Sequence, residues 1–126
     1  MPFIHIKSLP HSEPKDMRQI LINICHDFSH DTGISLKHIH ITCEFYQPGF
    51  YANDGVTFNH QPTDTHPIII DFLTPDFNDI ETVQKMLISI ANSLSTRAEV
   101  AKKNIFINHR EARSGLVYDE GEIVKW

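Results

Sequence analysis

Histidine is the residue through which this sequence could most readily bind a metal ion. The chain contains nine histidines, and His38 and His40 are separated by one residue. On a strand, such a pair points to one side, where it could hold a metal. The histidines that would have to complete the site have no ligand spacing: His5, His60, His66 and His109. We therefore favour surface or hydrogen-bonded histidines, and we predict neither a metal nor any other cofactor.

Cysteines and carboxylates give no further catalytic pattern. Cys25 and Cys43 are too far apart for a CxxC redox pair, and we expect two buried or unreactive thiols. Asp71 and Glu44 could act as paired carboxylates, but nothing in the sequence brings them together. The sequence contains no glycine-rich nucleotide motif, phosphate loop, GxSxG elbow or Cys–His arrangement.

The composition limits the class of protein. The chain has 126 residues, 40% of them hydrophobic, and a formal net charge of -5, which fits one domain over residues 1–126 with a loop insertion at about 47–66. The acidic balance argues against nucleic acid as a partner. No apolar run reaches the roughly 18–20 residues of a membrane span. Because Met1–Lys7 lacks the features of a signal peptide, we expect a cytoplasmic protein without membrane partners.

The sequence pattern of the first half of the chain predicts a strand, a helix and a second strand. Phe3–Lys7 is the first strand, and Ser12 is a candidate N-cap. Gly33 ends the helix in a left-handed conformation, and His38–Tyr46 is the second strand. The helix is indicated by apolar residues at helical spacing: Met17, Ile20, Leu21, Ile24, Cys25 and Phe28.

The second half begins after a polar loop, Gln47–His66, which has a possible hairpin tip at Asn53–Gly55. Pro67–Leu73 is the third strand. Thr74 is the predicted N-cap of the second helix, with Pro75 at its first position. The helix follows from a second apolar stripe: Ile80, Val83, Leu87, Ile90, Ala91 and Leu94.

The chain ends with a fourth strand, Asn104–Asn108, and a hairpin formed by Leu116–Tyr118 and Ile123–Lys125. The two halves repeat each other at a nearly constant distance. Corresponding residues lie 61 to 66 positions apart in three pairs: Phe3 and Ile68, Pro14 and Pro75, and Ile39 and Ile105.

This duplication predicts an α+β fold with one four-stranded sheet and both helices on the same face. The strands are apolar on both faces, so we expect other subunits to cover the face without helices. Two halves related by a pseudo-twofold axis run their strands in opposite directions. The start of the first strand then lies beside the end of the third, which places Pro2 against Leu73.

Several of these residues resemble the tautomerase superfamily, which includes 4-oxalocrotonate tautomerase and macrophage migration inhibitory factor. The chain opens with Met1-Pro2-Phe3-Ile4, its first helix ends in Thr32-Gly33, and its halves repeat. Ile105–Asn108, followed at a short distance by Val117, looks like the last core strand and tail of the inhibitory-factor branch. A small uncharacterised bacterial branch is similar over Phe45–Asp54, Pro67–Thr74 and Val117–Val124.

The resemblance implies a catalytic proline, Pro2, freed when Met1 is removed. An α-amino group has a pKa of about 7.7–8.0, and burial in an apolar pocket lowers it, so such an amine can act as a general base at neutral pH. The implied activity is a cofactor-independent keto–enol tautomerase, an isomerase acting on a small carboxylate. The implied assembly is a homotrimer in which Leu116–Trp126 reaches a neighbouring subunit.

The groups with which the family holds its substrate differ in this chain. The lysine that follows Thr-Gly in the inhibitory-factor branch is Ile34 here, and two arginines of 4-oxalocrotonate tautomerase fall near Ser12 and His40. The family's tyrosine falls at Phe106, whereas Asn108 and Val117 match. The cations available as substitutes are Lys37, His40, Arg110 and Arg113.

We therefore expect Pro2 at the floor of an apolar pocket, near Leu73 and Thr74, with Phe106 and Asn108 contributed by an adjacent chain. Lys37 or Arg110 is the expected cation at its mouth. The alternative is a non-catalytic oligomer of the same fold that binds a small acid or a protein partner. The two hypotheses differ in the fate of Met1, because an acylated Pro2 nitrogen cannot act as a base.

Overall fold

The computed structural model describes residues 1–126. Its elements, in chain order, are β1 (Phe3–Ser8), α1 (Met17–Thr32), β2 (His40–Phe45), β3 (Tyr51–Asn53), β4 (Val56–Phe58), β5 (Ile68–Pro75), α2 (Ile80–Ala98), β6 (Ile105–Ala112), β7 (Val117–Asp119) and β8 (Glu122–Val124). No helix is long and apolar enough to cross a membrane.

The central sheet has four strands in the order β2-β1-β5-β6. Within each half the two strands are parallel, and the halves meet through the antiparallel pair β1 and β5. In that pair Phe3 lies opposite Leu73, so the start of β1 lies beside the end of β5. The duplicated architecture predicted from the sequence is confirmed.

Both helices pack on one face of this sheet, as predicted. Their apolar stripes and the inward side chains of the strands form one core, in which Phe28 of α1 meets the edge of Phe72 of β5 at a ring distance of 6.0 Å. The helices are also joined by polar contacts. Asp27 accepts two hydrogen bonds from the Arg97 guanidinium, at 2.9 and 2.8 Å, and one from Ser93 at 2.6 Å.

The two helix starts differ from the sequence prediction. Ser12 does not cap α1, because its backbone N–H donates to the carbonyl of Gln61 at 3.0 Å and holds the chain in an extended bridge. Asp16 caps α1 through the N–H of Gln19. The predicted C-cap is confirmed, since Gly33 has a φ of 76°, a conformation that favours glycine.

The second helix does not begin at Thr74 and Pro75. Both residues continue β5, and Asp79 caps α2 by accepting from the N–H of Thr82 at 2.8 Å. The N–H of Asp76 bonds to the carbonyl of Ala112 in β6, so the nitrogen of Pro75 faces the opposite side of the strand. At that level of the sheet β1 has no residue, because it begins at Phe3 opposite Leu73, and the missing donor of proline costs no strand hydrogen bond.

Two predicted strand boundaries also shift. Leu36–His38 forms a 3-10 turn, so β2 begins at His40. His38 and His40 therefore do not share one side of a strand, as the metal hypothesis required. The fourth core strand extends beyond Asn108 to Ala112. The hairpin tip predicted at Asn53–Gly55 is confirmed, as is the hairpin at the end of the chain.

The sheet face opposite the helices, called the open face here, carries three rows of side chains defined by strand register. The first row is His40, Phe3, Leu73 and Arg110; the second is Thr42, His5, Asp71 and Asn108; and the third is Glu44, Lys7, Ile69 and Phe106. The prediction of a face as apolar as the covered one is wrong in the middle row, which is polar throughout. His5 contacts Thr42 of this row through Nδ1 and Glu44 of the third row through Nε2.

Candidate active site

Pro2 lies at the start of β1, where the sheet meets the end of α1. The residue is buried, and its carbonyl accepts a hydrogen bond from the N–H of His40 at 3.0 Å. Pro2 lines a cavity of about 300 Å³, called the Pro2 cavity here. The polar side chains around it come from the end of α1, the turn before β2, the end of β5 and the start of α2: Thr32, His38, Thr74, Asn78 and Thr82.

Hydrogen-bond donors, rather than fixed cations, line the Pro2 cavity. No lysine or arginine is among its lining residues, and His38 is the one side chain there that can carry a positive charge. The Thr74 hydroxyl is 2.8 Å from Nε2 of His109 on the neighbouring strand. This contact fixes the orientation of Thr74 at the wall of the cavity.

The amino group nearest to Pro2 is partly withdrawn from solvent. Burial lowers the pKa of the Met1 amine below its usual value of 8.0, and the carboxylate of Asp119 opposes this change to a lesser extent. The environment at this end of the sheet therefore favours a neutral amine.

The residues predicted to surround Pro2 do not all meet it within one chain. Leu73 lies on the open face opposite Phe3, and the ring of His40 stacks on Phe3 at 4.5 Å. Lys37 is exposed in the 3-10 turn beside His38 but does not line the cavity. Ile34 does line it, at the position where the related branch has a lysine.

The predicted residues of β6 and β7 lie further away. Arg110 is on the open face, with its Nε 3.9 Å from Asp71. Asn108 and Phe106 occupy the second and third rows, and Phe106 is level with Ile69, two rows away from Leu73. Val117 belongs to the separate hairpin of β7 and β8. Of the residues predicted at the site, Pro2 and Thr74 line the cavity.

Four polar residues of the Pro2 cavity were not proposed as site residues from the sequence: Thr32, His38, Asn78 and Thr82. Thr32 could have been predicted as a site residue, because it precedes the glycine C-cap Gly33. There the chain leaves α1 and turns back towards the end of the sheet at which β1 begins. His38 had been considered only as a metal ligand, and Asn78 was concealed by the misplaced start of α2.

The remaining candidates for chemistry lie apart from this cavity. Glu44 and Asp71 both flank His5 on the open face, with Glu44 Oε2 3.0 Å from the imidazole. Cys25 and Cys43 are free thiols. Burial raises the pKa of Cys43 to about 11, with a smaller contribution from Glu44, so this thiol stays protonated and unreactive.

Comparison with solved structures assigns the fold. Pt0534, solved after inactivation by 2-oxo-3-pentynoate, matches with a TM-score of 0.81 at 12% identity, over 97% of this chain and 95% of its own. A fused 4-OT, described as a symmetric trimer, matches with a TM-score of 0.80 at 8% identity, over 97% and 94%. N1, of the cis-3-chloroacrylic acid dehalogenase family, matches with a TM-score of 0.76 at 9% identity, over 97% and 82%.

These structures belong to the tautomerase superfamily, and the chain has the fold of that superfamily. The expectation drawn from the sequence resemblance is confirmed for the fold. No protein-family model and no curated protein matches the sequence.

Proposed function

We propose that this protein is a cofactor-independent isomerase of the tautomerase type, in which the amine of Pro2 is the general base for a small keto or enol carboxylate. One observation carries the proposal: Pro2 is buried and lines a cavity of about 300 Å³ at one end of the sheet. The tautomerase-superfamily fold supports it.

The chemistry requires the removal of Met1, which converts the Pro2 nitrogen from an amide into a secondary amine. Burial lowers the pKa of the Met1 amine, and we expect the same of Pro2, which is more deeply buried. The neutral amine removes a proton from the carbon next to the substrate carbonyl, leaving an enolate. The resulting ammonium then returns this proton to another carbon or oxygen of the substrate. This second transfer regenerates the neutral amine of Pro2.

The side chains of the Pro2 cavity provide the other half of the proposed mechanism. The Asn78 amide and the Thr82 hydroxyl can donate hydrogen bonds to a carboxylate or an enolate oxygen, whereas the Thr74 hydroxyl already contacts Pro75 and His109. A volume of about 300 Å³ lies at the lower end of the range for small-molecule sites, so it favours a substrate of few atoms.

The proposed assembly is a homotrimer in which the open faces of three chains meet. Phe3 and Phe106 are exposed on this face, at 42% and 50% of their surface, and two fused 4-OT structures are described as trimers. In such an assembly a neighbouring chain supplies Phe106 and Asn108 to the site. The other predicted substrate contacts are Lys37, His40, Leu73, Arg110 and Val117. The exposed Leu116 and Ile123 of the last hairpin also reach a neighbour.

The first test compares the native protein with Pro2→Ala in an assay of simple enolised keto acids. We expect the variant to lose at least about a hundredfold in kcat/KM, because a positioned base contributes roughly 10²–10⁴. The matched control is Pro48→Ala in the exposed loop, which should keep full activity. Activity of the native protein should rise with pH as the amine loses its proton. Equal activity of native protein and Pro2→Ala would refute the base.

A second candidate function is a non-catalytic oligomer that binds a small acid or a protein partner. The lack of lysine and arginine around the Pro2 cavity favours it, because a tautomerase needs groups that hold an anionic substrate. The intact mass of the purified protein separates the two functions. Loss of the Met1 mass supports the isomerase, whereas retained Met1 leaves an amide at Pro2 and supports the binding protein.

A further inference from the structure

The opposite end of the sheet contains a second cavity, of about 250 Å³, called the Lys15 cavity here. It lies at the end of the sheet where β1 ends and β5 begins. Its walls are the segment that follows β1, the end of the long loop and the C-terminal end of α2. Its polar and charged lining residues include His11, Ser12, Lys15, Gln61 and Glu99.

The Lys15 cavity is the pseudo-twofold counterpart of the Pro2 cavity. Ala98 and Val100 line it, and each lies 66 positions after a residue that lines the Pro2 cavity, Thr32 and Ile34. Gly33 lies between Thr32 and Ile34, and Glu99 lies between Ala98 and Val100. Both residues are helix C-caps in the left-handed conformation. The duplication of the chain has therefore produced two cavities, one at each end of the sheet.

The residues at the Lys15 cavity differ from those at the Pro2 cavity. Gln61, from the long loop, is fixed there by two backbone hydrogen bonds, from its N–H to the carbonyl of Pro10 at 2.9 Å and from the N–H of Ser12 to its carbonyl at 3.0 Å. Its side chain is 1% exposed, and its Oε1 has no hydrogen-bond partner. This free Oε1 is an acceptor, so it can receive a hydrogen bond from a donor at the cavity wall but cannot pair with a carboxylate oxygen.

Lys15 is the one lysine that lines this cavity, and the carboxylates of Glu13 and Glu99 line it as well. The side chain of Lys15 is only 20% exposed, and its one carboxylate partner, Glu99, is 3.8 Å away and 81% exposed. A pair at this distance, with one partner in solvent, neutralises a partly buried ammonium weakly. His11 lines the same cavity, and burial together with the charge of Lys15 lowers its pKa, so near neutral pH its imidazole is uncharged.

We propose that the Lys15 cavity is a second binding site, independent of Pro2, and that it takes a small carboxylate. The ligand replaces Glu99 as the counterion of Lys15, and the hydroxyl of Ser12 and the imidazole of His11 provide uncharged donors beside it. Glu13 is exposed at the rim and carries the same sign as the ligand, which limits the site to small monoanions.

The test is an amide-shift titration of uniformly ¹⁵N-labelled protein by NMR, with acetate as the probe and acetamide as its neutral isostere. Acetate should give saturable shifts at the amides of residues 11–13, 15, 61 and 98–100, and acetamide should give none. Lys15→Gln should weaken acetate binding at these residues at least tenfold, since a charge-assisted hydrogen bond is lost. Any shifts around the Pro2 cavity should be unaffected.

Two further variants make the outcome decisive. Glu99→Gln removes the internal competitor for Lys15 and should tighten acetate binding about two- to fivefold, a change that remains measurable even if Lys15→Gln fails to fold. Lys85→Gln removes an exposed lysine of α2 and should change nothing. Equal binding of acetamide, binding unchanged by Lys15→Gln, or weaker binding by Glu99→Gln would each overturn the proposal.

Discussion

The two faces of the central sheet are built from the same strands but from different kinds of side chain. On the covered face every inward residue of β5 is buried, including Ile68, Ile70 and Phe72. On the open face the intervening residues are half-buried, and the middle row consists of polar groups around His5 and Asp71. The covered face provides the hydrophobic free energy of folding, whereas the open face carries polar groups whose geometry can select a partner.

The largest effect should come from the covered face. Phe72→Ala removes a ring that is 0% exposed and packs against Phe28, and we expect it to lower the free energy of unfolding by about 3–5 kcal/mol. Denaturant unfolding at a fixed protein concentration measures this change. The matched control is Ile22→Ala, at an exposed position of α1, which should cost less than about 1 kcal/mol. A small effect of Phe72→Ala would contradict the packed core.

The next largest effect should come from charging the open face. Ile69→Lys places an ammonium in the third row beside Lys7, and burial of two like charges in an interface is unfavourable. We expect the proposed trimer to weaken at least about a hundredfold while helix content is retained, which sedimentation and circular dichroism measure. Ile22→Lys, on the outer surface of α1, should leave the assembly intact. A native protein that is already monomeric would rule out the assembly.

A smaller effect should come from the polar contact within the helix layer. Arg97 lowers the pKa of Asp27, chiefly through hydrogen bonds, so the ionised carboxylate stabilises the fold at neutral pH. Asp27→Asn should cost about 1 kcal/mol at pH 7, because the pair is partly exposed. The lowered pKa of Asp27 lies below the ordinary value of 3.8. As the pH falls through it, the native carboxylate is protonated and loses its charge, so the difference in stability between Asp27→Asn and the native protein should vanish.

Unfolding of both proteins between pH 7 and pH 3 measures this convergence. Glu81→Gln is the control, since its pair with Lys85 is exposed on α2 and should contribute less than about 0.5 kcal/mol. A gap between Asp27→Asn and native protein that stays constant with pH would show that the carboxylate charge is unimportant.

The smallest effect is expected at the middle row of the open face. His5→Gln removes a contact to Glu44, whose side chain is 66% exposed. In the Ile69→Lys background we expect it to change the free energy of unfolding by less than about 0.5 kcal/mol. In the native background, where the proposed interface buries this row, the same substitution should weaken assembly several-fold. Equal effects in both backgrounds would show that the open face stays in solvent.

The covered face could be predicted from the sequence because burial leaves a periodic signal. The stripes beginning at Met17 and Ile80 gave both helices and the face on which they lie. The start of α2 could not be read from Thr74 and Pro75, because proline favours a first helical turn and also the end of a strand without a neighbour. The absence of a neighbour depends on where β1 begins in the sheet, which the residues around Thr74 and Pro75 do not specify.

The site was less predictable than the fold. Pro2 and its position beside the end of β5 followed from the resemblance and the pseudo-twofold arrangement. Asn108 and Arg110 of β6, which were expected near Pro2, lie on the open face of their own chain, because they are in register with Asp71 and Leu73. Strand register decides the face of every side chain, and a sequence specifies it only where one face is clearly apolar.

Glu99 has a consequence for any attempt to redesign this chain for thermal resistance. Its φ of 56° is one that a side chain disfavours, and the matching helix end in the other half uses Gly33. A method that selects only for melting temperature would choose glycine here, with a gain of roughly 1 kcal/mol. The same choice would delete the carboxylate beside Lys15. Selection for heat resistance would therefore favour glycine at position 99, whereas selection for ligand discrimination would favour glutamate.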